Sequence, residues 1–317
     1  MKILVTGCAG FIGSHVSEAM LNRGESVVGV DEINDYYDVR IKKNNLSILK
    51  KHKGFVFYKE DIRNLKGLKR IFAKEMPEKV VHLAARAGVR PSIEQPLLYE
   101  EVNVKGTMHL LELAKEHNIK SFVFASSSSV YGNQKKVPFS ETDDVNNPIS
   151  PYAATKKAGE LLCYTYHHLY DIKITCLRFF TVYGPRGRPD MAPYKFTKAI
   201  IAGKPIQRFG NGKTKRDYTY IADIVKGVVA AADAELGFEI INLGNNKPVE
   251  LSKLISTIEK ATGKKAAIEQ MPLQPGDVEI TYANIAKAKK LLGYNPETSI
   301  EAGMQKFVEW YKENVLS

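Results

Sequence analysis

The feature that most restricts this chain is its beginning. Residues 2–13 read KILVTGCAGFIG, a short strand-forming run that turns at once into a helical pattern through Gly7, Gly10 and Gly13. The first glycine permits a tight turn, the second lets backbone approach a pyrophosphate, and the third lets helix and strand pack closely. A helix starting there offers unpaired N–H groups and the positive end of its dipole to phosphates. The run therefore predicts the first crossover of a doubly wound parallel sheet and a dinucleotide site. Asp31 closes the next strand-like run, where a carboxylate accepts from ribose hydroxyls and repels a 2′-phosphate. The expected cofactor is NAD rather than NADP.

Strand-like and helical runs alternate through the first half. Strands are expected at Lys2–Thr6, Ser26–Asp31, Phe55–Lys59, 79–84 and 121–126, with helices at 11–23, 65–74 and within 97–117. VVHLAA and FVFAS are near-continuously apolar, as strands buried on both faces should be. The fold class is α/β: a Rossmann-type doubly wound parallel sheet with a smaller mixed α/β substrate-binding domain. Residues 1–180 are assigned to the NAD-binding domain, with a returning segment at about 217–248. Residues 181–317 are assigned mainly to the smaller substrate-binding domain. Further strands are expected at 173–179 and Phe238–Leu243, the latter rejoining the main sheet. From about Thr181, Pro185, Pro189, Pro193, Pro205, Gly210 and Gly212 read as loops around a ligand. Helices return at Leu251–Thr262, 285–292 and 300–314.

Composition removes several classes. No run is apolar enough to span a membrane, and MKILV leads into a structural loop rather than a signal peptide. Cys8, Cys163 and Cys176 are odd in number and form no CxxC pair, which argues against a disulfide framework and a zinc site and suggests a reducing cytoplasm. The net charge of +11 comes from lysine pairs scattered along the chain, not from a basic run interleaved with aromatics. That distribution fits a solvated surface that attracts anionic small molecules better than a nucleic-acid footprint.

Tyr152 and Lys156 stand four apart, on one face of a helix that Ser150 and Pro151 would start. The same spacing at Tyr131/Lys135 precedes a helix-breaking Gly132-Asn133, and at Tyr194/Lys198 no serine-rich strand end comes before it. A phenol titrates near ~10, whereas a general base works best near ~7. Closing about 3 units takes roughly 4 kcal/mol of preference for the phenolate, which Lys156 and an oxidised nicotinamide can supply at short range.

Taken together, Thr6-Gly7-x-x-Gly10-Phe11-Ile12-Gly13, His82-Leu83-Ala84-Ala85, Asn103-Val104-x-Gly106-Thr107, SSSSVYG at 126–132 and Tyr152-x-x-x-Lys156 resemble the extended short-chain dehydrogenases/reductases over essentially the whole chain. The resemblance implies that Phe11, Ile12, Ile62, Leu83, Ala84 and Ala85 line the cofactor and that Asn103 steadies the neighbouring backbone. His82 is given no chemistry. Asp61 is read either as a partner of the adenine amine or as the N-cap of the next helix. Ser127 is expected to bind the sugar hydroxyl beside Tyr152, with Ser128 nearby and Ser129 on the same side if the strand stays extended. Related dehydratases and decarboxylases carry acidic residues where this chain has Ser128-Ser129. What is left is chemistry that one tyrosine and a cofactor can perform.

Residues 178–192, RFFTVYGPRGRPDMA, resemble the corresponding segment of epimerases acting on UDP-glucuronate. That likeness turns Thr181, Arg188 and Met191 toward the sugar, with Thr181 and Arg188 on a uronate carboxylate, which a guanidinium can hold through two parallel hydrogen bonds. Phe209 and Arg216 match a uridine loop and its phosphate arginine, and Gln274 and Asp277 match a second nucleotide anchor. The expected reaction is 4-epimerisation of UDP-glucuronate through a transient 4-keto sugar, with NAD regenerated each turnover. Alternatives are UDP-glucose or UDP-N-acetylhexosamine 4-epimerisation, decarboxylation, or an NAD-binding sensor without catalysis. The family likeness also implies a homodimer through helices at 97–117 and 151–170.

Overall fold

The computed structural model describes residues 1–272 and 279–316. The strands are β1 (Lys2–Thr6), β2 (Ser26–Asp31), β3 (Phe55–Lys59), β4 (Lys79–His82), β5 (Ser121–Ser127), β6 (Ile174–Phe179), β7 (Thr181–Tyr183), β8 (Ile206–Phe209), β9 (Lys215–Tyr220), β10 (Phe238–Leu243), β11 (Pro248–Glu250), β12 (Ile268–Met271) and β13 (Ile280–Thr281). The helices are α1 (Phe11–Asn22), α2 (Val39–Leu49), α3 (Leu65–Glu75), α4 (Val89–Glu94), α5 (Pro96–Glu100), α6 (Gly106–Glu116), α7 (Pro151–Tyr170), α8 (Ala192–Ile201), α9 (Ile221–Asp233), α10 (Leu251–Thr262), α11 (Ala286–Leu292) and α12 (Ile300–Tyr311). None is long and apolar enough to cross a membrane.

Seven parallel strands form the main sheet in the order β10-β6-β5-β4-β1-β2-β3. β4, β5 and β6 are buried at every residue, as suits strands with apolar centres covered on both faces. The chain builds β1, β2 and β3 in one direction and resumes with β4 on the other side of β1. That reversal opens a crevice at the carboxyl ends of β1 and β4, where such sheets bind ligands. β10, late in sequence, lies beside β6 at the sheet edge. β7, β9, β11 and β13 form a second small sheet, and β8 pairs with β12.

Buried Asp217 on β9 holds the junction between these parts. Its carboxylate accepts from the backbone N–H groups of Asn245 (2.6 Å), Asn246 (3.1 Å) and Ala283 (3.0 Å) and from the Thr219 hydroxyl (3.0 Å). The loop after β10 and the segment after β13 thus converge on one side chain. Removing it would leave several buried donors without a partner.

Some local expectations change. The helix expected within 97–117 is interrupted: α5 passes through a widened turn at Glu101–Lys105 before α6. Residues 192–201, expected to be loop, are helical. Pro193 sits in the first turn of α8, where a missing N–H costs nothing. α2 and α9 were not anticipated either; α2 starts on Asp38, whose side chain accepts from Arg40 N–H.

His82 is buried and His15 half-buried, and both are held neutral. The Thr6 hydroxyl accepts from Leu83 and Ala84 N–H, so its own proton points to His82 Nδ1 (2.8 Å). Thr107 donates to the Asn103 carbonyl and therefore accepts from His82 Nε2–H (3.0 Å). Burial pushes the His82 pKa down to about 3 and that of His15 to about 4. Below an ordinary histidine pKa of about 6.5, the unfolded chain takes up protons that the fold refuses, so stability declines as pH falls. Urea midpoints should drop between pH 7 and pH 5. His15→Gln, which can still donate to the Pro185 carbonyl (2.9 Å from His15 Nε2), should flatten that slope.

Candidate active site

The glycine loop is shaped by close approach. Gly7 has φ 70°, and a Cβ there would lie 2.8 Å from Ala84 N. At Gly13 a Cβ would lie 2.0 Å from the Gly7 carbonyl oxygen. The N-cap of α1 is Gly10, which brings no side-chain acceptor, and the first turn, with Phe11 and Ile12, holds no acidic residue. Those N–H groups therefore face the crevice ready for an anionic ligand. Asp31 Oδ2 accepts from Ala9 N–H (3.1 Å) and Oδ1 from Ile33 N–H (2.8 Å), which fixes the carboxylate at the rim of the loop. Leu83, Ala84 and Ala85 leave the end of β4 against Gly7.

Asp61 does not cap α3. Asn64 does, accepting from Gly67 N–H at 3.2 Å. The Asp61 carboxylate instead accepts from Arg63 N–H (2.8 Å) and the Arg63 guanidinium (2.6 Å). Ile62 is buried against Gly106, where any side chain would meet it. The widened turn before α6 aims Asn103 back at the β4 loop. Its Oδ1 accepts from Arg86 N–H (2.8 Å), and its Nδ2 donates to the Arg86 carbonyl (3.0 Å) and Thr155 Oγ1 (3.0 Å). The loop is thereby tied to α7.

α7 starts on Ser150, whose hydroxyl accepts from Ala153 N–H (3.1 Å), followed by Pro151. Tyr152 and Lys156 lie on one face, with the lysine Nζ 6.0 Å from the tyrosine ring centre. Lys156 donates to the Ala125 carbonyl (2.7 Å), and burial lowers its pKa to about 8. Burial also raises the Tyr152 phenol, opposed by a hydrogen bond from Ser127 and by the positive charge of Arg188. The sequence assigns the stabilising charge to Lys156 and the cofactor. In the fold, the protein groups that pull the phenol down are Ser127 and Arg188.

β5 runs one residue beyond its expected end, and Ser127 then caps a tight turn at Ser128–Tyr131 by accepting from Ser129 N–H (3.1 Å). Strand alternation ends there. Ser129 is not carried to the Ser127 side by extended geometry, because that hydrogen bond pulls the chain into the turn. One residue earlier, the Ser126 hydroxyl donates to Glu160 on α7 (2.6 Å). Glu160 is paired with Arg178 of β6 through two 2.8 Å bonds, both side chains 1% exposed. The Arg178 guanidinium lies 4.8 Å from the Tyr131 ring centre. This buried clamp holds β5, β6 and α7 in one register beneath Ser127 and Tyr152.

Arg188 comes from the loop between β7 and α8. Two contacts tie that loop to α1: His15 with the Pro185 carbonyl, and Arg186 with Glu18 (2.7 Å). The Arg188 guanidinium lies over the Tyr36 ring (5.4 Å) and pairs with Asp190. Tyr36 also faces Arg86 (5.8 Å) and donates to the Ala87 carbonyl (2.6 Å), which Tyr99 shares (2.8 Å). The Tyr99 ring meets Tyr152 edge-on, 6.2 Å between centres. Tyr36, Arg86 and Tyr99 come from separate segments and form no motif, and Asp190, though inside the 178–192 segment, is given no role by the sequence reading.

The remaining expected substrate residues are more dispersed. Thr181 opens β7 opposite Tyr218, Met191 precedes α8, Phe209 ends β8 under Arg90 (5.8 Å), and Arg216 lies on β9 with Nη1 on the Lys215 carbonyl (2.9 Å). Ser128 sits in the tight turn. Gln274 and Asp277 lie outside the described residues.

Residues 4–307 match the family described as GDP-mannose 4,6 dehydratase. The chain belongs to this family of extended short-chain dehydrogenases/reductases. It is 51% identical over 98% of its length to a UDP-glucuronate 4-epimerase of Thermodesulfobacterium geofontis, 96% of which is covered. Among solved structures it resembles UDP-glucuronic acid 4-epimerase from Bacillus cereus in complex with UDP-glucuronic acid and NAD, at TM-score 0.93 and 39% identity with 99% of both chains covered. It also resembles UDP-glucose 4-epimerase from Thermotoga maritima with UDP-glucose, at TM-score 0.92 and 33% identity, covering 99% of this chain and 100% of that one. Within the family, the turn after β5 in this chain presents Ser128 and Ser129 and no carboxylate.

Two outcomes follow from this geometry. Ser127→Ala removes a hydrogen bond that lowers the phenol pKa, so the acidic limb of the kcat/KM–pH profile should move to higher pH. Glu160→Ala strands a buried guanidinium and should cost roughly 3–5 kcal/mol in urea denaturation, most of it recovered when Arg178→Met is added.

Proposed function

We propose that this chain is an NAD-dependent UDP-glucuronate 4-epimerase, producing UDP-galacturonate. The observation that carries the reading is Arg188, a carboxylate-binding cation within electrostatic reach of Tyr152. The likeness to UDP-glucuronate 4-epimerases over nearly the whole chain supports it.

The backbone of Gly7, Gly10 and Gly13 and the start of α1 with Phe11 and Ile12 suit the pyrophosphate. Asp31 suits the adenosine ribose, and Asp61 and Ile62 the adenine. Ala84, Ala85 and Lys156 suit the nicotinamide half. NAD held by these residues would supply the hydride acceptor and donor for C4 of the sugar. Tyr152 removes the 4-hydroxyl proton and later gives it back, with Ser127 hydrogen-bonded to the phenol oxygen throughout. Phe209, Arg216, Gln274 and Asp277 would hold the nucleotide while the hexose turns over. Hydroxyls alone at Ser128 and Ser129 give no acid–base pair for dehydration.

Thr181 and Arg188 face the uronate carboxylate. The 4-keto sugar is a β-keto acid and loses CO2 when the bond to its carboxylate stands perpendicular to the ketone plane. A guanidinium that fixes the carboxylate prevents that alignment.

A homodimer in the cytoplasm completes the proposal. α4 and α5 pack on α7 and leave Ile93, Leu97, Leu161 and Tyr164 exposed, an apolar surface suited to a second copy.

Chromatography after incubation with UDP-glucuronate should show UDP-galacturonate. Arg188→Leu should lose roughly 10- to 100-fold in kcat/KM for UDP-glucuronate, the worth of charge-assisted hydrogen bonds, and far less for UDP-glucose. Equal losses on both sugars would reject the assignment.

A further inference from the structure

Arg188 is not a loose cation awaiting an anion. Asp190 grips it from the side: Oδ1 accepts from Nε at 3.0 Å and Oδ2 from Nη2 at 2.5 Å. Only Pro189 separates the two residues, and its fixed φ favours a pair that is formed before any ligand arrives. The guanidinium also rests on the Tyr36 ring, with a longer contact of 3.4 Å from Nη2 to the Tyr36 hydroxyl. Tyr36 is itself pinned, since its hydroxyl donates to the Ala87 carbonyl and a side chain at Gly88 would come within 2.8 Å of it.

A guanidinium presents two edges that can bind a carboxylate in bidentate fashion, Nε–Nη2 and Nη1–Nη2. Asp190 takes the first. We propose that Asp190 is a positioning residue that, with Tyr36, sets the plane of the Arg188 guanidinium and turns its Nη1–Nη2 edge, which would give up the long 3.4 Å hydrogen bond from Nη2 to the Tyr36 hydroxyl, toward the substrate carboxylate. Uronate preference then comes from direction rather than from excess positive charge, because Asp190 already offsets the charge of Arg188. This inference rests on the UDP-glucuronate reading above.

Charge and direction give opposite signs when Asp190 is removed. Deleting a carboxylate makes the site more positive, so attraction by charge alone would tighten a uronate. Loss of direction loosens it and frees the carboxylate of the 4-keto sugar to rotate. The C5–C6 bond can then break, CO2 leaves, and its electron pair forms the C4–C5 enolate, which takes a proton at C5.

The test compares wild type, Asp190→Ala and Asp190→Asn with UDP-glucuronate, following KM, kcat and CO2 release, with the affinity for UDP as control. Asp190→Ala should raise KM about ten-fold and release CO2 that wild type does not. Asp190→Asn, keeping one acceptor, should fall between the two, and UDP affinity should stay within about two-fold. A KM for Asp190→Ala that is unchanged or lower, or a parallel loss of UDP affinity, overturns the proposal. If wild type itself leaves UDP-glucuronate unchanged, the substrate reading falls and this inference with it. An active wild type with indifferent variants sinks this inference alone.

Discussion

A half-buried phenol whose surroundings favour its neutral form is the constraint around which this site is organised. Burial and the neighbouring Tyr36 oppose ionisation of Tyr152, and among the described residues Ser127 and Arg188 push the other way. Lys156, the residue that spacing nominates as the electrostatic partner, gives a hydrogen bond to the Ala125 carbonyl and is itself held near a pKa of about 8. The protein alone therefore leaves the phenol protonated. A positive charge arriving with the oxidised cofactor would have to complete the shift. On the proposed reading, the phenol would then ionise when the cofactor is seated.

That economy works only if a few distances hold. Ser127 must stay at the end of β5 while Tyr152 stays in the first turn of α7, and the Ser126–Glu160–Arg178 clamp beneath them joins both elements to β6. Such a pair is a weak source of stability compared with apolar packing; its value here lies in register. On the opposite side, α1 starts at the glycine loop and holds the Arg188 loop through His15 and Glu18. One helix thus connects the dinucleotide loop to the residue expected to meet the sugar, so a shift at either end would be felt at the other.

The sheet was legible because each strand is a local run of apolar residues and each crossover a local helical pattern. The glycine loop and the Tyr152/Lys156 pair were legible for the same reason, since the residues involved lie within one or two turns. Proline misled at residue 193, which reads as a breaker but begins α8. Ser129 misled because alternation holds only while a strand lasts, and the hydroxyl of Ser127 ends it. The widened turn that aims Asn103 leaves no mark on the 97–117 pattern. Tyr36, Arg86 and Tyr99 were beyond sequence reasoning altogether, and Asp190 stood in a recognised segment without an assigned partner. Three segments of chain must fold before two guanidinium groups meet one tyrosine ring.

The most direct measurement is the ionisation of Tyr152 itself, read as the ultraviolet tyrosinate difference signal between wild type and Tyr152→Phe across a pH titration of the NAD-loaded protein. The account predicts one tyrosine in wild type ionising well below pH 10, absent from the variant, together with loss of epimerisation in the variant. If the two titrations coincide, or if Tyr152→Phe interconverts the sugars at the wild-type rate, Tyr152 is not the base.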